Sequence, residues 1–252
     1  MPRKKAAKST VKKKATRRRI KAPEKQRPEY LPGYIWKQEK VDRVCTFIET
    51  FCRFTKGDNA GQSITLLPWQ RDEVIAPLFG WYNKDGTRRF RNSSIWISKK
   101  NGKSFLVSAL SAYMLLADGE AGAQCFSAAA DRMQAGIIAR EMIAMMKSHP
   151  ALLKQVEIVE SRNAVMHRKS NSRYTVLSSD AFRAEGIDAS FVAVDEVHSL
   201  PNDKLYRALR YATAARRSPL FISISTAGYD KRGIWWELWR QSEQNMADPS
   251  LD

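Results

Sequence analysis

Histidine and cysteine are scarce in this chain, three of each in 252 residues. Cys45, Cys52 and Cys125 stand at no metal-ligand spacing, and His149, His167 and His198 are scattered, so no zinc site is expected. An odd number of thiols suits a reducing compartment better than a disulfide framework. No apolar run approaches the ~20 residues of a membrane span, and no hydrophobic leader opens the chain, so nothing suggests secretion. Acids are also in deficit: 26 Asp and Glu stand against 43 Lys and Arg, for a formal net charge of +17. The excess is local. Thirteen of the basic residues and one acid, Glu24, fall within residues 1–28, which leaves the remainder at only +5. Residues 1–28 therefore read as a basic, disordered arm with too few apolar groups to pack, either solubilising or able to touch nucleic-acid phosphates. Residues 29–252 are long enough to bury one large core, and they contain no internal repeat.

Periodicity orders the elements. Residues 40–54 read as an amphipathic helix with Val41, Val44, Cys45, Ile48 and Phe51 or Cys52 on one face. A second helix opens at Leu66-Leu67-Pro68-Trp69-Gln70, with Pro68 suited to a first turn, and runs to about residue 79. Residues 94–97 read as a buried strand, 105–116 as a buried helix and 124–128 as another strand. Asp131 caps a helix ending near His149, with Pro150 as its stop. Ile137, Ile138, Met142, Met145 and Met146 give that helix an apolar stripe, read as core filling. Residues 156–159, 164–167 and 174–177 alternate as short strands, an antiparallel flap being one arrangement. Residues 191–194 form a strand, 203–215 a helix, 220–225 a strand, and 234–244 a helix carrying Trp235, Trp236 and Trp239. Such alternation implies a doubly wound parallel sheet with right-handed crossovers.

Two short segments carry chemistry. The first is Ser98-Lys99-Lys100-Asn101-Gly102-Lys103-Ser104, between the strand at 94–97 and the helix at 105–116. Gly102 lets backbone approach a phosphate, Lys103 can reach β- and γ-phosphates, and Ser104 can ligand Mg²⁺ at a helix start, where the dipole favours an anion. The general loop pattern, G-x-x-x-x-G-K-[ST], has its first Gly replaced here by Ile97. The second segment is Phe191-Val192-Ala193-Val194-Asp195-Glu196, an apolar strand ending in two carboxylates. Asp195 can hold the same Mg²⁺ through water, and Glu196 can orient and deprotonate an attacking water. The plainer alternatives are a solvated lysine at a helix start and two solvated acids at a strand end. Strand tips after Ile97, Val194 and Ile224 should open on one sheet edge, where α/β sheets bind ligands.

At this point the chain resembles the ATPase domain of tailed-phage terminase large subunits, motors that package double-stranded DNA into procapsids. The resemblance rests on Leu66 to Gln70, the lysine-rich loop Ser98 to Ser104, Phe126-Ser127-Ala128-Ala129 with Gln134-Ala135, Glu185-Gly186-Ile187-Asp188, Asp195-Glu196-Val197-His198, and Ser225-Thr226-Ala227-Gly228, in the family's order. A loop lacking the first Gly is what this family shows. The resemblance implies a RecA/ASCE-like P-loop NTPase, α/β, with a central, mostly parallel sheet flanked by helices, using ATP and Mg²⁺.

It also implies roles. Trp69 and Gln70 correspond to the adenine-recognition motif, though Trp69 also fits a core aromatic. Ser98, Lys99, Lys100 and Asn101 complete the phosphate loop. Ser225 and Thr226 couple the γ-phosphate state to movement, or are an ordinary strand end. Many terminases place the trans-acting arginine finger directly before the Gly corresponding to Gly186. Here that neighbour is Glu185, so Arg183 is taken as the finger, with Arg162 and Arg173 as alternatives.

The implied partners are double-stranded DNA, the portal protein, the terminase small subunit and further copies of the chain. The copies would form a homo-oligomeric ring, a pentamer, during packaging and a monomer when isolated. The implied setting is the host cytoplasm, with no membrane. The family's RNase H-like nuclease domain would need its own carboxylate cluster beyond this point, so residues 29–252 are expected to be the motor alone. Two rival readings remain: a superfamily-two DExH helicase, and a non-catalytic basic DNA-binding protein.

Overall fold

The computed structural model describes residues 33–178, 186–226, 228, 231 and 233–248, and the basic arm lies outside them. A two-residue strand, β1 (Ile35–Trp36), precedes helix α1 (Gln38–Phe51). A π-helical turn over Gln70–Ile75 leads into α2 (Ala76–Gly80) and then β2 (Trp81–Tyr82), which pairs antiparallel with β1. The main run follows: β3 (Asn92–Trp96), α3 (Lys103–Leu116), β4 (Gln124–Ala129), α4 (Arg132–Ser148), α5 (Pro150–Leu153), β5 (Val156–Val159), β6 (Ala164–His167) and β7 (Ser172–Ser178). Then come β8 (Phe191–Asp195), α6 (Lys204–Ala212), β9 (Leu220–Ser225) and α7 (Ile234–Ala247).

Seven strands form one sheet in the order β3-β9-β8-β4-β7-β6-β5. The first five run parallel, and β6 and β5 add antiparallel at one side. Every residue of β8 and β9 is buried, which is why both read as continuous apolar runs: helices cover both faces of the sheet. From β3 the chain moves to β4 through α3, and it later returns from β8 to β9 through α6. Because the direction of travel reverses, the same crossover hand puts α6 on the opposite face. The packing agrees. Leu106, Leu110, Met142 and Met146 belong to one core with Ile95 and Ile222, whereas Leu205, Leu209, Ile234 and Trp235 pack with Val192 and Val194 on the other face.

Several local expectations change. Helix α1 ends at Phe51, and Cys52 is its extended C-cap, fully buried in the same core as Cys45. Burial pushes the Cys52 thiol up to about 12, so it is an inert packing group. Helix α4 does end before Pro150, at Ser148 with an extended His149 as its C-cap, but Pro150 has a second role. It begins α5 after an extended His149, whose Nδ1 accepts from Ala151 N at 3.3 Å. Asp131 does cap α4, accepting from Gln134 N at 2.9 Å. Ile137 falls outside the core stripe and is 42% exposed, because its neighbour Ile138 takes the inward position a third of a turn away. The strand at 174–177 is no flap. It lies in β7, which pairs antiparallel with β6 on one side, as β6 does with β5, and parallel with all of β4 on the other, so the antiparallel unit is built into the main sheet.

Candidate functional site

The register sets the strand tips level. Trp96 of β3 pairs with Ser225 of β9, Asp195 of β8 pairs with Ile224, and Ile97 N donates to Ser225 O at 3.2 Å. The loop after β3 is closed by Asn101, whose Nδ2 donates to Ser98 Oγ at 2.6 Å. Lys100 (φ 68) and Gly102 (φ 79) are both left-handed. Left-handed residues alternating along a turn aim backbone N–H groups into one concavity, which suits an anion. Helix α3 starts at Lys103 with no side-chain cap, so its first amides are left for a ligand. Lys99 and Lys100 are exposed, whereas Lys103 is buried.

Gln70 lies beneath this loop. It is buried, its Oε1 accepts from Leu67 N at 3.0 Å, and a Cβ on Gly102 would stand 3.6 Å from its Nε2. It therefore caps the backbone at Leu67 and stands beside Gly102 of the phosphate loop from within a π-helical turn, a feature frequent at functional sites. Trp69 is half-buried and packs against the main core.

The carboxylates differ in environment. Asp195 is 2% exposed, and its Oδ1 has no hydrogen-bond partner among the described residues. Burial raises its pKa to about 6, Glu196's charge adds to the shift, and Lys103 opposes it. Glu196 is left-handed (φ 48, ψ 56), a strained conformation for a non-glycine residue that turns its side chain back over the strand tips. Its Oε1 stands 3.1 Å from Lys103 Nζ. Its Oε2 stands 3.2 Å from His198 Nδ1 and accepts from Thr226 N at 3.4 Å.

Ser225 closes the ring of bonds. Its Oγ lies 2.9 Å from His198 Nδ1, accepts from His198 N at 3.3 Å and donates to Thr226 O at 2.8 Å. With Ser225's one hydrogen committed to Thr226 O, the proton between the ring and Ser225 or Glu196 sits on His198 Nδ1. His198 had no role assigned from sequence, although its spacing from Asp195 was visible. No sequence pattern marked the π-helical turn.

Lys103, Asp195, Glu196, Ser225, Thr226 and Gln70 thus converge on one edge. Arg183 lies outside the described residues. Arg173, the second residue of β7, donates to Gln124 Oε1 at 2.9 Å, at the sheet end opposite the carboxylates. Arg162 is exposed in the β5–β6 connection, on the carboxylate edge but at its far side. The donor set fits a nucleotide and a hard cation: the nest and helix start suit phosphate, and the orphaned Asp195 oxygen with the Ser104 hydroxyl offers the oxygen ligands Mg²⁺ takes.

This fold and edge define a RecA-like P-loop nucleotide hydrolase. The family model for the terminase large subunit, ATPase domain, matches residues 68–244, and the chain belongs to that family. It is similar to the large terminase subunit of Enterobacteria phage HK97, 28% identical over 213 residues that cover 83% of this chain and 41% of that protein. The crystal structure of the HK97 large terminase matches it with a TM-score of 0.71 at 27% identity, covering 83% of this chain and 42% of that one. The chain spans less than half the length of these relatives.

Proposed function

We propose that this chain is the ATP-hydrolysing motor segment of a viral terminase that drives double-stranded DNA into a procapsid. The observation that carries the reading is the meeting of Lys103, Asp195 and Glu196 at one sheet edge in a chain of this family. Mg²⁺ held by Ser104 and Asp195 would neutralise charge on the phosphate oxygens. The loop of Ser98 to Gly102 cradles the phosphates through backbone N–H groups, and Trp69 and Gln70 face the base. Lys103, now bound to Glu196, has a stronger anion to pair with once a γ-phosphate enters. Glu196 Oε1 is then free to take the proton of the attacking water, while His198 and Thr226 hold Oε2 in place.

Ser225 and Thr226 are the coupling residues, since a shift of Glu196 pulls directly on the β9 tip. Arg183 completes the site of a neighbouring copy in a homo-oligomeric ring, a pentamer during packaging, with the isolated chain monomeric. The portal protein and the terminase small subunit are the other partners, the setting is the host cytoplasm, and nuclease activity is not expected of this segment. Hydrolysis per subunit, measured against protein concentration with and without duplex DNA, tests the reading. Turnover that rises with concentration and with DNA is expected. Turnover flat in both would overturn the ring-motor reading.

A further inference from the structure

On the face that carries α6 and α7, toward the start of β3 and away from the nucleotide edge, lies an open groove of about 700 Å³. Asn92, Ser93 and Ser94 of β3, the outermost strand on that side, form its floor. Four arginines line it, Arg89, Arg91, Arg207 and Arg210, against one acidic residue, Glu237, with Arg89 packed over the Tyr34 and Phe90 rings. That carboxylate is already paired with Arg207, Oε2 to Nη2 at 2.9 Å. Among the described residues neither Arg91 nor Arg210 forms an ion pair. Arg91 reaches the Arg88 carbonyl at 3.5 Å, and Arg210 lies over the Phe221 ring at 5.4 Å.

The remaining walls are mostly amide and hydroxyl, including Gln241, Ser242 and Asn245, with Tyr211 78% exposed. Guanidinium forks beside Asn, Gln, Ser and Tyr are the groups that hold phosphodiester oxygens. The apolar lining residues Phe90, Ile234 and Leu238 are buried or half-buried, so among the aromatic and apolar side chains Tyr211 alone is well exposed beside the arginines, and the lining is predominantly polar.

We infer that this groove is a contact surface for the phosphate backbone of double-stranded DNA, joined to the hydrolytic edge through β9. Tyr206 Oη lies 3.2 Å from Ser223 Oγ, and Arg210 stacks on Phe221, so two groove residues grip β9. Three residues after Ser223 the same segment ends in Thr226, whose amide holds Glu196. A load on α6 therefore reaches Glu196 along one rigid strand. The inference rests on the DNA-motor reading and gives it a surface.

The test compares the 252-residue chain with two variants: Arg91→Gln combined with Arg210→Gln, and Gln241→Glu, which adds a charge at an exposed site. Random-sequence duplex binding is followed against NaCl, alongside hydrolysis with and without the duplex. The double variant should lose about two units of salt slope, about one per phosphate contact removed. Both variants should bind DNA more weakly and lose DNA-stimulated turnover, with basal turnover unchanged. If the double variant melts early, Gln241→Glu alone decides. Wild-type stimulation with unaltered binding in the variants overturns the groove and leaves the motor reading standing. A wild type that neither binds duplex nor responds to it removes the motor reading itself. Variants that keep DNA but lose poly-glutamate binding overturn the proposal in favour of an acidic protein.

Discussion

Lys103 Nζ and Glu196 Oε1 stand 3.1 Å apart, a nearly buried ion pair that joins the phosphate loop to the proposed base. The pair has two consequences. It supplies a counter-charge for Glu196 beside a buried Asp195, and it holds Lys103 where phosphate would otherwise be. Nucleotide entry must therefore exchange one anionic partner of Lys103 for another, which releases the carboxylate as the substrate arrives.

Replacing Lys103 tests the exchange. A charge-assisted contact of this kind is worth roughly 1.5–3 kcal/mol, or about 10- to 100-fold in affinity. Lys103→Ala should lower ATP affinity by at least that much in calorimetry, and should also destabilise the metal-free protein by leaving Glu196 without its cation. Unchanged affinity would remove the phosphate-loop assignment.

Glu196→Gln keeps the size and hydrogen-bonding reach of the side chain but loses the basic oxygen. The variant should bind MgATP at least as tightly as wild type, because no carboxylate competes for Lys103, and hydrolyse it at least ~100-fold more slowly, since general-base catalysis contributes about 10²–10⁴. Near-normal single-turnover rates would show that another group takes the proton.

The convergence of the candidate site residues on one sheet edge was legible because they are local to strand ends. A short apolar run ending in Asp195-Glu196, and Gly102-Lys103-Ser104 between strand and helix, require little tertiary knowledge to place. What escaped depends on tertiary contacts. The position of β7 inside the sheet follows from pairing with β4, which no short alternating pattern encodes. The role of His198 depends on β9 lying beside β8, so that Ser225 arrives within 2.9 Å of its ring. Pro150 marked the end of α4 correctly, but that it also opens α5 was not visible, because a proline suits the first turn of a following helix as well as the end of the preceding one.

Asp195 gives the metal-free protein a pH signature. Its carboxyl titrates near 3.8 when unfolded and near 6 in the fold, so folding favours the protonated form. The favourable contribution is complete below pH 3.8 and is lost as pH rises through about 6. Above that, the buried charge costs up to about 3 kcal/mol, at 1.36 kcal/mol per unit. Asp195→Asn should therefore raise the melting temperature at pH 8 in chelator, and leave it nearly unchanged at pH 4. It should also abolish stabilisation by MgATP. Equal melting curves at pH 8 would mean that Asp195 is better solvated than its burial indicates.

His198 holds Glu196 Oε2 and Ser225 Oγ through one ring nitrogen. That makes it a positioning residue, and its loss should act on turnover rather than binding. A hydrogen bond to a charged group is worth about 1.5 kcal/mol at the low end. His198→Ala should therefore lower kcat by about tenfold or more, while KM for ATP stays within about twofold because the loop is untouched. Ser225→Ala breaks the same ring from the other side. If the two residues act as one unit, the double variant should cost no more than the worse single variant. Fully additive losses would show that His198 and Ser225 serve Glu196 separately, and a rise in KM alone would place His198 in nucleotide binding instead.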